Sequence, residues 1–244
     1  MKCFLNLKNI LTSVLLLLSA GCVSRSTKSS SEQPPWLGAS FDLSRKERIE
    51  LSKQARSGDA KAAYRLHEFY SIARYDRKKS MYWLGLSAEL GFTPAQYNYG
   101  FSLRESKSAE DNRQAVKWFR IAAEKGHRTA ERALAEALEA GKGTTTDLVA
   151  ARSWYDKAAR AGDSTAAEKL AEFLSEGKGG PSDAAMAYAW SSLLYSRYKG
   201  SVFGDSILTK KDKLREKLDA QELERGEKEF AILQNTIPPE SEKR

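Results

Sequence analysis

Residues 115–143, AVKWFRIAAEKGHRTAERALAEALEAGKG, and residues 151–179, ARSWYDKAARAGDSTAAEKLAEFLSEGKG, align without a gap at an offset of 36. The same ruler places Trp83, Trp118, Trp154 and Trp190 at one register position, 35, 36 and 36 residues apart, and leaves only Trp36 outside the series. Self-similarity at such a period is the signature of a repeat architecture, where each unit buries its apolar face by stacking on its neighbours. The 244 residues therefore read as one elongated repeat domain. Ala, Leu, Glu, Lys and Arg dominate after residue 44, which favours helix over strand and predicts an all-α fold.

Counting from tryptophan, position +5 is Ala88, Ala123 and Ala159, and position +8 is Gly91, Gly126 and Gly162. Small residues let helices approach closely, and glycine supplies the left-handed conformation at which helices commonly stop. The next helix carries Ala95, Ala130 and Ala166 at +12, Tyr99, Leu134 and Leu170 at +16, and Leu103, Leu138 and Leu174 at +20. Steps of four keep these on one face. Ala55, Gly58, Ala62, Leu66 and Tyr70 fill the same positions one unit earlier, with Glu50 at the tryptophan site. That first helix reads as an N-terminal cap, its Glu50 exposed because nothing stacks outside it. Its start is marked by Ser44 and Glu47 at capping-box spacing. Closing helices are predicted at about 203–218 and, after an Asp219/Glu222 cap, 220–234.

The amino terminus has a different character. Lys2 and Lys8 flank the start of an apolar run, Ile10 to Leu18, that ends in Ser19, Ala20 and Gly21 before Cys22. This is the pattern of a secretory signal, too short to span a bilayer, which takes about 20 apolar residues. The other cysteine, Cys3, lies inside that signal, so Cys22 is the sole thiol expected in the mature chain and no disulfide can form. Residues 23–41 are rich in serine and include Pro34 and Pro35, the composition of a flexible tether, although Trp36, Leu37 and Phe41 are apolar enough to fold against the first helix.

Two resemblances rest on these residues. The segment Leu18-Ser-Ala-Gly-Cys22 resembles a bacterial lipobox, with Ser19 where Leu is more usual. That resemblance implies cleavage before Cys22, lipidation of Cys22, and, with Val23 rather than Asp following, placement at the outer membrane facing the periplasm. The array resembles the Sel1-like repeats, relatives of the tetratricopeptide repeats. The match is carried by Ala115 to Trp118, Ala122 to Gly126, Gly141-Lys-Gly143 with Asp147, and Ala151 to Trp154. It implies a right-handed superhelical solenoid of helix–turn–helix repeats that serves as a protein-binding scaffold without an active site. The expected layout is a signal peptide at 1–21, lipidated Cys22 and its tether at 22–43, the repeat array at 44–200, closing helices at 201–235 and a disordered tail at 236–244.

The formal charge is +8, and loss of Lys2 and Lys8 with the signal lowers it to +6. Basic residues are interleaved with Glu and Asp rather than clustered, which argues against nucleic acid and for acidic proteins or anionic headgroups as partners. No catalytic constellation assembles. His67 and His127 are the two histidines; His127 follows a helix-ending glycine and reads as a solvated turn residue, and His67 as a tolerated side chain near the open end of the array. No zinc-ligand spacing or Gly-x-Ser-x-Gly occurs, and Gly141-Lys-Gly143-Thr144 lacks the spacing and preceding strand of a phosphate loop. The sequence thus predicts no enzyme, no metal and no cofactor.

Function is then expected on a surface. In such superhelices the first helix of each pair tends to line the concave side. Its non-core positions are Tyr64, Tyr97 and Arg132 at +14, Arg65 and Asn98 at +15, and Glu68 and Phe101 at +18. Aromatics with Arg are the side chains that most often anchor interfaces. The family and compartment resemblances suggest a monomeric immunity protein that binds and occludes a phospholipase-type toxin delivered by type VI secretion. The alternatives are an adaptor for an envelope secretion, polysaccharide-export or wall-remodelling complex and, less favoured, an envelope hydrolase.

Overall fold

A computed structural model of the chain describes residues 41–106 and 108–238. The signal, Cys22, most of the tether with Trp36 and Leu37, and the last six residues lie outside the described residues. The fold is all-helical. In chain order the helices are α1 (Arg45–Arg56), α2 (Ala60–Glu68), α3 (Arg77–Glu89), α4 (Thr93–Arg104), α5 (Ala109–Glu124), α6 (Arg128–Ala140), α7 (Leu148–Arg160), α8 (Ser164–Glu176), α9 (Ala184–Tyr198), α10 (Val202–Arg215) and α11 (Ala220–Thr236). Each helix from α1 to α9 packs on the next, and α11 folds back onto α9 beside α10.

Local sequence explains where the helices begin. Ser44 accepts from the Glu47 N–H at 3.2 Å while the Glu47 carboxylate accepts from the Ser44 N–H at 2.8 Å, and Asp219 with Glu222 repeats this capping box before α11. Asp59, Asp76, Asp147, Asp163 and Asp183 cap α2, α3, α7, α8 and α9 in the same way, each carboxylate accepting from an early N–H. Between repeats, alanines at the predicted small positions are wholly buried, among them Ala88, Ala95, Ala130 and Ala166.

The tryptophans of the shared register position are not equally buried. Trp83 and Trp190 are buried, but Trp118 and Trp154 are only half-buried, Trp118 set edge-on to Tyr99 and Trp154 covered by the Lys157 ammonium at 3.9 Å. After Trp83, Trp118 and Trp154 the fully enclosed side chain is the next one, Leu84, Phe119 and Tyr155, at 1%, 1% and 0% exposure, whereas in the last unit Trp190 itself is enclosed. One residue further along a helix is about 100° around its axis, which turns this position into the helix pair and leaves tryptophan at the seam between units.

Gly-x-Gly loops have a packing reason as well as a conformational one. Gly141 and Gly177 end α6 and α8 in the left-handed conformation, at φ 65° and 68°. The second glycines, Gly143 and Gly179, lie against the first turns of α5 and α7; a Cβ there would fall inside 3.0 Å of the Asn112 and Leu148 carbonyl oxygens respectively. Where the sequence lacks Gly-x-Gly, after Tyr70, the chain instead makes a π-helical turn, Phe69–Ala73, followed by Tyr75 at φ 51°.

Order extends beyond the predicted array at both ends. Leu43, assigned to the tether, is buried in a cluster with Ala55, Leu66, Phe69 and Trp83, and the Phe41 ring lies under the Arg65 guanidinium of α2. At the other end α11 runs to Thr236, Ile237 is buried, and Pro238 lies against Gly162, so the segment from 236 to 238 is docked rather than disordered. The Ile237 carbonyl accepts from Arg197 at 2.8 Å. An Arg225–Asp183 ion pair at 2.7 Å and the close approach of Gly226 to the Ala185 carbonyl hold α11 on α9.

Candidate interaction face

Alternate helices α2, α4, α6 and α8 lie side by side, and cross-links between their side chains form a ladder. Asn98 on α4 donates to the Tyr64 hydroxyl on α2 at 2.8 Å. Arg104 on α4 pairs with Glu136 on α6 at 3.3 Å, and Arg132 on α6 bonds both Glu136 and, at 3.1 Å, the Asp163 cap of α8. Lys169 on α8 reaches back to Glu139 on α6 at 3.5 Å, and Glu139 also accepts from the enclosed Tyr155 hydroxyl at 2.6 Å. Burial, reinforced by this carboxylate, pushes the Tyr155 phenol well above its ordinary range, so it stays a proton donor.

The seven candidate side chains belong to α2, α4 and α6, and most have partners within the chain. Tyr64 packs edge-on against Phe92 at 5.1 Å, and burial raises its phenol. Arg65 pairs with Glu68 at 3.3 Å besides covering Phe41. Tyr97 is half-buried, stacked on His127 with ring centroids 4.9 Å apart and packed against Phe119. Its neighbour Phe101 is the exposed member, 39% accessible, with the Arg104 guanidinium over its ring at 4.8 Å.

Both histidines have structural roles that sequence reasoning missed. His127 is the N-cap of α6, its Nδ1 accepting from the Ala130 N–H at 3.2 Å in the place that aspartate fills before α2 and α8. Alignment of His127 with Asp163, one period on, was the signal that could have found it. It is half-buried rather than freely solvated, and burial holds its imidazole below the ordinary value of 6.5. His67 ties α2 to α3, with Nδ1 2.9 Å from Ser80 Oγ and 3.2 Å from the Ser80 carbonyl, and burial lowers its pKa also.

Nearness of Ser80 to His67 does not make a hydrolase. The serine is 6% exposed inside α3, its N–H is spent on the Asp76 carbonyl, and no carboxylate orients the other imidazole nitrogen among the described residues. Among the described residues no group of three or more His, Cys, Asp or Glu side chains could hold a metal, and no helix is long and apolar enough to cross a membrane.

Stacked helix pairs with a cross-linked face define a repeat scaffold of the tetratricopeptide-like class. The Sel1 repeat matches residues 60–92, 93–127, 129–163 and 164–196, more than half the chain, which therefore belongs to the Sel1 repeat family. Its repeats pair α2 with α3, α4 with α5, α6 with α7 and α8 with α9. The chain is similar to the crystal structure of c5321, a protective antigen present in uropathogenic Escherichia coli strains displaying an SLR fold, with a TM-score of 0.66 and 30% identity over 78% of this chain and 41% of that one. It is also similar to a Sel1 repeat protein from Oxalobacter formigenes, at a TM-score of 0.55 and 26% identity over 63% and 70% of the two chains. A protein of Escherichia coli (strain K12) named Uncharacterized protein YibG is 28% identical over 100 residues, 39% of this chain and 65% of its own length. The chain thus spans less than half of c5321 and under two thirds of YibG. Sel1 repeat arrays are generally protein-binding scaffolds, and the family match to this chain identifies the repeats and no catalytic domain.

Proposed function

We propose that this chain is a lipid-anchored, periplasm-facing scaffold that binds another protein, in its most concrete form an immunity protein that covers a phospholipase-type toxin delivered by type VI secretion. The observation that carries the binding role is the cross-linked face of α2, α4, α6 and α8. Side chains held by Asn98–Tyr64, Arg104–Glu136 and Arg132–Asp163 contacts are ordered before a partner arrives, so less conformational entropy is lost on binding. Inhibition on this reading is steric, without chemistry or cofactor. Lipidation and location rest on the Leu18 to Cys22 segment, and a similar structure described as a protective antigen fits an envelope protein.

Two measurements test this. Metabolic labelling with a palmitate analogue should mark the wild-type chain and not Cys22→Ala, and an unlabelled wild type refutes the anchor. Cells lacking the protein should become sensitive to a toxin encoded beside it, and purified chain should retain that toxin. Unchanged sensitivity together with co-purification of secretion, export or wall-remodelling components would replace immunity with the adaptor role.

A further inference from the structure

We propose that the cleft between α2, α3 and α4, headed by Tyr75 and Phe101, is a docking surface for an acidic protein segment that carries an apolar or aromatic anchor residue. The inference rests on the scaffold reading and deepens it, naming the place and the chemistry of the partner. The cleft has a volume of about 340 Å³, near the lower end of ligand pockets, and takes single side chains of a partner rather than a folded domain. Met81 and the Ser80–His67 pair lie along its wall. At its rim Tyr75 is 80% exposed and Phe101 39% exposed, two large rings offered to solvent at one concavity.

The outward ring of Tyr75 is set by the backbone. Among the described residues Tyr75 is the non-glycine with positive φ, at 51°, a conformation that is costly for a side chain of this size. The Asp76 N–H closes the preceding π-helical turn on the Tyr70 carbonyl at 2.8 Å, and Asp76 then caps α3, so the chain on either side of Tyr75 is pinned.

Charge identifies the occupant. Residues 74–79, Arg-Tyr-Asp-Arg-Lys-Lys, carry four cations and one acid. Arg74 pairs with Asp42 and Lys79 with Asp76, but Arg77 and Lys78 are exposed and take no ion-pair partner among the described residues. No acid stands in the first turn of α3, where cations oppose the helix dipole and an incoming carboxylate would be favoured by dipole and cations together. Glu105 is the acid that lines the cleft, and Arg77 is the cation that does. An acidic stretch laid along α3, with an aromatic or leucine side chain between Tyr75 and Phe101, satisfies both features.

The test is selection of a phage-displayed random peptide library on the full chain in detergent, followed by photo-crosslinking in the producing bacterium. Selected peptides should be net acidic with an apolar anchor and should bind less tightly as salt rises. Affinity should fall about tenfold or more with Phe101→Ala and with the double variant Arg77→Glu, Lys78→Glu. Tyr75→Gly should lose affinity to the same degree while melting no lower than wild type, because glycine relieves the left-handed backbone; this separates a lost contact from a lost fold. Neutral or basic selections, no selection, or undiminished binding by these variants would overturn the proposal. So would binding to phosphatidylglycerol vesicles that the Arg77/Lys78 variant abolishes while no peptide is selected, since the surface would then serve a membrane. A photo-reactive side chain replacing Tyr75 should cross-link a protein in cells. Cross-links from position 132 alone would overturn this surface and leave the scaffold reading intact, whereas peptide binding at Tyr75 with no cellular partner would count against the scaffold reading alone.

Discussion

Substituting Gly179→Ala should separate the third and fourth repeats. Gly179 has φ +68°, and its added Cβ would fall inside 3.0 Å of the Leu148 carbonyl oxygen at the start of α7. Gly126 is the control: its φ is +77°, but a Cβ there meets nothing within 4 Å. Both substitutions place alanine in the left-handed region, which costs about 1–2 kcal/mol, offset by about 0.4–1 kcal/mol because alanine restricts the unfolded chain. Gly126→Ala should therefore destabilise by roughly 1 kcal/mol. Gly179→Ala carries the same penalty, and in addition the loop and α7 must part until carbon and oxygen reach roughly 3.3 Å, a crowding cost of about 1–3 kcal/mol. At about 2–4 °C per kcal/mol for a chain of this size, Gly179→Ala should melt about 2–12 °C below Gly126→Ala. Thermal unfolding followed by far-ultraviolet circular dichroism at matched protein concentration reads this directly. Equal melting temperatures for the two variants would mean that the loop does not bear on its neighbour, and the account of why the second glycine recurs would fail.

Two further outcomes follow from the interior. Phe119→Ala should cost about 3–5 kcal/mol, as for a large core aromatic, and half-exposed Trp118→Ala about 1–2 kcal/mol; urea unfolding of both would refute the burial order if the tryptophan variant were the weaker fold. His67 and His127 both have folded-state pKa values below 6.5, so the unfolded chain binds more protons as pH drops beneath that value. Their stabilising contribution is complete above 6.5 and is lost as pH falls toward the lowered folded values. Combining His67→Gln with His127→Asn, which keeps a capping side chain, should flatten the stability profile on the acid side of 6.5, and an unchanged slope would show that these rings are not the source.

A good part of this protein could be read before any coordinates. A period of 36 and alanines and glycines at +5, +8 and +12 require helix pairs stacked in a row, because residues so spaced can be buried only by neighbours carrying the same pattern. Ser44 with Glu47 and Asp219 with Glu222 announced helix starts because capping is settled within four residues. The candidate face was legible as a set of positions, since +14, +15 and +18 fall away from the alanine stripe.

What those positions do was decided in three dimensions. By sequence Tyr97 is a non-core interface candidate, yet it stacks on His127, thirty positions away, and only the placement of α4 beside the start of α6 reveals this. Arg132 meets Asp163 by the same route, so a side chain that reads as free charge becomes a strut between repeats. Tyr75, in a loop whose only sequence signal was a missing Gly-x-Gly, emerges as the most exposed aromatic among the described residues, beside a cleft. The local pattern dictates which residues must be hidden, because hydrophobic burial and backbone capping act over one or two helical turns. Which of the remaining side chains bind one another, and which are left for a partner, depends on distances between residues about 30 positions apart, set by how closely each repeat settles on the last.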